Sequence, residues 1–261
     1  MSSPTIWSAG RYQALGERIE SIAAEVVAAV DRRGPVRDAA LVDLACGTGS
    51  AALAACARGA RVTAVDITPE LIAIGARSAQ TGPGSITWMT ADAADTGLPS
   101  GSFDAVVSNM GIVFVEPVTQ VAEITRLLKP QGVLSFSSWI RDPDNPFFTP
   151  ITAVLGPPPP SGYTPDQWGQ ADIIADRPSA DFDDVEIDTG FHNWQLGDID
   201  DAMVWVTRES PIHVSVIAGL DDDTKRERLL AAFGDEFRTR LDADGNFTYD
   251  APYAVVTARR R

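Results

Sequence analysis

Three acids, two glycines and an asparagine have the types and spacing for ligand chemistry. Asp43 interrupts the apolar run Leu41-Val42-Asp43-Leu44-Ala45, and Gly47 and Gly49 follow in Cys46-Gly47-Thr48-Gly49-Ser50. Asp66 ends a second run, Arg61-Val-Thr-Ala-Val-Asp66, seventeen residues past Gly49. Asp92 lies in Ala91-Asp92-Ala93, and Asn109 in Ser108-Asn109-Met110. Glycines without a Cβ let the backbone come against a ligand, and a following helix N-terminus presents free amides to it. An acid at a strand tip accepts hydrogen bonds from a pair of ribose hydroxyls, in NAD and S-adenosylmethionine alike. Gly47-x-Gly49-x-x-Ala52 also satisfies the loose dinucleotide fingerprint, so the glycines alone do not separate the two cofactors.

These residues need elements to hold them. The apolar run predicts a buried strand over 40–45, with a helix over 50–58 that Thr48 or Ser50 can cap. A second strand spans 61–66, and Thr68-Pro69-Glu70 starts a helix reaching Ser78 with a cap, a first-turn proline and a first-turn acid. Strands follow at 85–90 and 103–108, then a helix over 117–128, and Lys129-Pro130-Gln131-Gly132 turns into a strand over 132–139. Ahead of this series, Leu15, Ile19, Ile22, Val26 and Val30 recur at helical spacing, giving one or two helices within 8–31 that end at Gly34-Pro35. Alternating strands and helices of these lengths imply a parallel sheet with right-handed crossovers and helices on both faces.

After Trp139 the texture changes to Asp142-Pro-Asp-Asn-Pro146 and Gly156-Pro-Pro-Pro-Pro160, with a short helix over 165–175. Residues 141–180 read as an inserted lid, ordered weakly without ligand, within one domain of 1–261. Residues 1–36 form its helical cover. Strands over 184–194 and 246–258 and helices over 198–207 and 222–241 complete the chain.

The ordered set of motifs over about residues 38–140, with Leu98-Pro-Ser-Gly-Ser-Phe-Asp and Leu127-Leu-Lys-Pro-Gln-Gly-Val-Leu134 added to those above, resembles the class I S-adenosylmethionine-dependent methyltransferases acting on small molecules. The resemblance implies a Rossmann-like, seven-stranded, mostly parallel sheet of order 3-2-1-4-5-7-6, strand seven antiparallel. Ligands bind such sheets beyond the carboxyl ends of the strands at the topological switch point, here between strands one and four. By resemblance, the backbone around Ala45, Gly47 and Gly49 meets the methionine end of the cofactor. Asp43 orients the turn or reaches the amino end through water. Asp66 takes the ribose hydroxyls with Ile67 beside it, Asp92 and the Ala93 amide face the adenine, and Asn109 and Met110 close over the sulfonium. S-adenosylhomocysteine would be the product.

Methyl transfer from a sulfonium is an in-line displacement in which positioning and desolvation supply much of the catalysis. A phenol or alcohol acceptor often uses a base. The chain has two histidines, His192 and His213, both read as structural, and no catalytic residue is assigned. By position rather than motif, the acceptor pocket draws on Tyr12, Phe114, Trp139, Tyr163 and Trp168, with Phe147, Phe148 and Met110 near them. Ser108-Asn-Met-Gly111 replaces the Asn-Pro-Pro-Tyr of the nucleic-acid and glutamine amino-methylating enzymes. Two rivals are a NAD(P)-dependent oxidoreductase on a related fold, which this chain's lack of a Tyr-x-x-x-Lys pair disfavours, and a protein that binds S-adenosylmethionine without transferring methyl.

Composition narrows the partners. Of 36 acids, 12 fall in residues 141–200 against Arg141 and Arg177 alone, and the formal net charge is −15. Such a surface repels phosphate backbones, so a small-molecule acceptor is expected rather than nucleic acid. No apolar stretch approaches a membrane span and the N-terminus lacks a signal-peptide pattern. Cys46 and Cys56 read as reduced, buried residues, so a cytoplasmic location is expected. No cluster has metal-ligand spacing, so activity without a divalent ion is expected.

Overall fold

The computed structural model describes residues 5–78, 82–157, 162–178 and 180–261. Seven strands, β1 (Ala40–Leu44), β2 (Arg61–Asp66), β3 (Ser85–Thr90), β4 (Phe103–Asn109), β5 (Leu128–Trp139), β6 (Phe182–Gly197) and β7 (Phe247–Arg260), form one sheet of order β3-β2-β1-β4-β5-β7-β6. The first five pair in parallel, and β7 runs antiparallel to β5 from Val133↔Arg259 to Trp139↔Tyr253. Order and direction agree with those implied by the motif series. The helices are α1 (Tyr12–Arg18), α2 (Glu20–Arg33), α3 (Ser50–Ala57), α4 (Pro69–Arg77), α5 (Pro117–Leu127), α6 (Thr149–Leu155), α7 (Ala171–Asp176), α8 (Ile199–Val204), α9 (Pro211–Ala218) and α10 (Asp223–Arg238).

Side chains alternate along a strand, so β1 has two faces. Val42 and Leu44, with Val65, Val106, Leu134 and Phe136, pack against Ile124 and Leu127 of α5 and against Trp168. The other face receives α2 and α3, where the Ser135 hydroxyl donates to the Val26 carbonyl at 2.9 Å and Asp43 meets the start of α3. β5 begins four residues earlier than expected. Phe103 pairs with Leu128 and Ala105 with Val133, so Lys129-Pro130-Gln131-Gly132 is a bulge inside the strand, with Gln131 at φ 64°.

The chain divides into two compact units. One holds Ile19–Arg141, Tyr163–Gly190 and Tyr253–Arg261; the other holds the residues up to Arg18, Asp142–Gly162 and Phe191–Pro252. These boundaries differ from the expected cover over 1–36 and lid over 141–180. Residues 142–157 do share a core with their own unit. Phe147, 5% exposed, stands edge-on to Trp194, His213, Phe237 and Tyr249 at centroid distances of 5.4–6.0 Å. Phe147 is therefore core rather than a pocket residue. The helices α6 and α9 escaped the sequence reading because α6 is short and α9 is apolar on every side, leaving no 3.6-residue stripe. Of the proline run 157–160, residues 158–160 lie outside the described residues. No described helix is long and apolar enough to cross a membrane.

Candidate functional site

The carboxyl ends of β1, β2 and β4 bring the expected cofactor residues of the larger unit together. β1 and β4 are neighbours although four elements of chain separate them, which makes their ends the switch point. Two non-glycine residues there hold left-handed backbone, Ala45 at φ 53° and Met110 at φ 57°, beside Gly47 at 57° and Gly49 at 90°. Non-glycine residues pay for this conformation and persist in it where the surroundings over-determine it, often at ligand sites.

The helix cap differs from the expected one. Gly49, not Thr48 or Ser50, is the N-cap of α3, and no side chain of the turn caps it. Asp43 does the work from the strand below, its Oδ2 accepting from the Ala52 amide at 2.9 Å. Its Oδ1 is buried with no hydrogen-bond partner. Burial raises the Asp43 carboxyl to about 8; the Ala52 amide opposes this and the Asp66 charge adds to it. Burial likewise raises the Cys46 thiol, with Asp43 and Asp66 contributing.

Asp66 ends β2 and is 6% exposed. Its Oδ2 accepts from Gly47 N and its Oδ1 from Thr68 N, both at 2.8 Å. Thus Asp66, rather than a Thr68 cap, organises the start of α4, and it ties the turn after β1 to the turn after β2. Burial raises its pKa, against the pull of the Thr68 and Gly47 amides. A carboxylate has about four lone-pair positions, so each oxygen keeps capacity for a further donor. Ile67, next in the chain, is 52% exposed.

Asp92 is exposed, and its Oδ1 accepts from the Ala94 amide at 2.8 Å in an Asx turn. Ala93 is buried, its carbonyl accepting from Gln120 Nε2 at 3.1 Å. The Asn109 side chain is a brace. Its Nδ2 donates to the Ile19 carbonyl and to Ser50 Oγ at 3.3 Å, and its Oδ1 accepts from Ser137 Oγ at 2.7 Å. Ser137 Oγ in turn accepts from the Met110 amide at 3.0 Å. Ser108 Oγ donates to the Leu44 carbonyl at 2.7 Å and accepts from Ile112 N, binding the end of β4 to the end of β1. Sequence reasoning missed Ser108 and Ser137. Their signal was hydroxyls at alternate positions of otherwise apolar strands, which demand partners once buried.

Of the expected acceptor residues, Tyr163 and Phe114 are in contact and Trp168 is core. The Tyr163 hydroxyl donates to the Phe114 carbonyl at 3.2 Å, and Trp139 meets Tyr253 edge-on at 6.5 Å. Trp168 does not line a pocket: it is 1% exposed, edge-on to Phe136 at 5.2 Å with the Arg177 guanidinium over its ring at 4.7 Å. Its flat apolar ring fills the core beside α5. Tyr12 belongs to the smaller unit, edge-on to Trp7. His213, in that unit, is 4% exposed and held down to about 4 by burial. Its Nε2 donates to the Phe147 carbonyl, so Nδ1 accepts from Ser210 Oγ at 2.6 Å, and the ring has no free nitrogen to act as a base. Among the described residues, no group of three or more His, Cys, Asp or Glu is placed to hold a metal.

Residues 42–136 match the family model described as a methyltransferase domain. A Mycobacterium tuberculosis protein is 28% identical over 175 residues, covering 65% of this chain and 62% of that one, so the matched region spans under two thirds of such curated relatives. The nocamycin O-methyltransferase of Saccharothrix syringae is 32% identical over 141 residues, 52% of this chain and 49% of that enzyme. Among solved structures, the Haemonchus contortus phosphoethanolamine N-methyltransferase 2 in complex with S-adenosyl-L-methionine shares the fold. Its TM-score is 0.52 at 16% identity, over 90% of this chain and 52% of that one.

Proposed function

From a chain that belongs, through residues 42–136, to the class I S-adenosylmethionine-dependent methyltransferases, we propose transfer of a methyl group from that cofactor to a small-molecule acceptor. The observation that carries the reading is Asp43, a buried carboxyl beside left-handed Ala45 whose Oδ1 has no partner. Once this carboxyl gives up its proton, an ammonium group is the complement of such an oxygen, and the methionine end of the cofactor carries one. Buried acceptors without partners are rare and mark ligand or water positions.

The bound cofactor supplies a methyl on a sulfonium with a neutral thioether as leaving group. The chain holds and orients it. Asp66 uses the capacity its two amide bonds leave to accept from the ribose hydroxyls, and the same two bonds favour its ionised form against the effect of burial. Gly47, Gly49 and the backbone at Ala45 let the methionine end approach. Ile67 offers an exposed apolar surface for one adenine face, and Asp92 with the Ala93 amide recognises the ring edge. Met110, fixed through Ser137, and the backbone at Asn109 border the reacting methyl. Phe114, Trp139 and Tyr163 of the larger unit contribute apolar and hydroxyl surface for the acceptor. The acceptor is a small molecule rather than nucleic acid, consistent with the charge of −15. Pre-organised positioning of this kind supplies much of the rate for a displacement with a good leaving group.

Calorimetry with S-adenosylhomocysteine, S-adenosylmethionine, NAD and NADP tests the cofactor. Label transfer from methyl-labelled cofactor to a panel of phenols, amines and carbon acids tests the reaction. Binding of the two sulfur nucleotides with labelled product is expected. Binding of NAD instead would return the chain to oxidoreductases, and cofactor binding without transfer to any acceptor class would leave a binding protein.

A further inference from the structure

Trp88 stands on β3, opposite Ala64 of β2, two strands away from the glycine turn that follows β1. Yet the far edge of its indole fills the space left by two glycines that are 26 residues apart in sequence. A Cβ on Gly49, the left-handed cap of α3, would overlap Cη2 and reach Cζ3 at 2.7 Å. A Cβ on Gly75, inside α4, would overlap Cζ3 and lie 2.5 Å from Cη2 and 2.9 Å from the Thr48 carbonyl. Gly75 is otherwise out of place, because glycine is a poor residue in a helix interior. The indole Nε1 is buried without a partner, a cost that a phenyl ring at this position would avoid. A helix glycine and an unsatisfied indole are both locally unfavourable, and both are accounted for if the reach of the six-membered ring is what the site requires.

We propose that Trp88 is a positioning residue for the cofactor turn. Its ring, backed by α4 at Gly75, is the wall against which Gly49 rests, while the Thr48 carbonyl lies against Gly75 itself, so that α4 sets the position of a turn it does not belong to. The proposal rests on the reading that this turn holds S-adenosylmethionine. Trp88 itself need not touch the cofactor.

Gly75→Ala makes the test, because alanine favours the helix while filling the space the ring occupies. S-adenosylhomocysteine affinity is measured for wild type, Gly75→Ala, Trp88→Phe and the double variant, each checked for folding by thermal melting. Gly75→Ala is expected to bind about tenfold or more weakly, and the double variant to return to within about threefold of Trp88→Phe, a coupling expected only of residues in contact. A merely structural role would lower the melting temperature of Gly75→Ala and leave the affinity of the folded protein unchanged, which overturns the proposal. So does a double variant whose loss is the product of the two single losses. If Gly75→Ala does not fold, Trp88→Leu, which empties the space, carries the test. Affinity at least about fivefold weaker, with faster amide exchange over 47–52, supports the role, and unchanged affinity ends it. Wild type that binds no S-adenosylhomocysteine would end the cofactor reading itself.

Discussion

The acids at the two ends of the sheet live in opposite environments. At the carboxyl end, Asp43 and Asp66 are buried, bond to backbone amides, have no cation paired with them among the described residues, and have raised pKa values. At the amino end of β4, Asp104 is partly exposed and pairs with Lys129 Nζ at 2.6 Å while accepting from Ala40 N, and its pKa is lowered, the Lys129 and Ala40 bonds outweighing a burial that acts the other way. Nearby, Arg33 pairs with Asp184 and Glu186 at 3.0 and 3.1 Å. A paired acid is complete as it stands. An unpaired buried acid is costly and persists where a ligand completes it, so perturbed carboxyls point to the functional end of the sheet.

The largest effect expected from this contrast is on stability against pH. Folding raises the proton affinity of Asp43, so between about pH 4 and pH 8 the folded state keeps a proton that the unfolded state has lost. Stability therefore falls as pH rises through that window. Asp43→Asn keeps an oxygen for the Ala52 amide and removes the titration. Between pH 5 and pH 8 the variant should lose less stability than wild type, by roughly 3–4 kcal/mol. Urea unfolding at the two pH values checks this, and equal falls would show that Asp43 is ionised throughout.

Asp66→Ala should weaken S-adenosylhomocysteine binding by roughly 2–4 kcal/mol, about 30- to 1,000-fold. A strand-tip acid would be expected to leave stability untouched, but the bonds to Gly47 N and Thr68 N add a structural cost of about 1–3 kcal/mol for each amide left unsatisfied. Melting and calorimetry on one preparation separate the two losses. A folded variant that binds within about threefold of wild type would take the ribose role away from Asp66.

Asp104→Asn is the control at the other end. The Lys129 pair is exposed on both sides, so its loss should cost about 0–1 kcal/mol of stability, less in high salt, and nothing in cofactor affinity. A loss of affinity matching that of Asp66→Ala would erase the distinction between the two ends.

Much of the sheet was legible because β1, β2 and β4 are short apolar runs closed by glycines, prolines or acids, and such punctuation survives without tertiary context. The carboxyl-edge positions of Asp43, Asp66, Asn109 and Met110 follow from those strand ends. What they bond to did not, since crossovers bring Gly47 to Asp66 and Ser137 to Asn109, and the path of the intervening turn brings Ala52 to Asp43. Trp168 was misread because an aromatic in a proline- and glycine-rich stretch looks exposed, whereas Phe136 and Arg177 enclose it. Phe147 failed the same way, its partners lying 47 to 102 residues along the chain. Gly75 carried a signal, a glycine inside a helix, that the ring of Trp88 and the Thr48 carbonyl explain.

Amide hydrogen exchange with and without saturating S-adenosylhomocysteine tests the central claim most directly, because it reads both ends of the sheet at once. The account predicts added protection at residues 45–52, 66–68 and 109–112 and no change at 33–38 and 129–132. Protection confined to the amino end, or none at the carboxyl end while calorimetry shows the ligand bound, would contradict it.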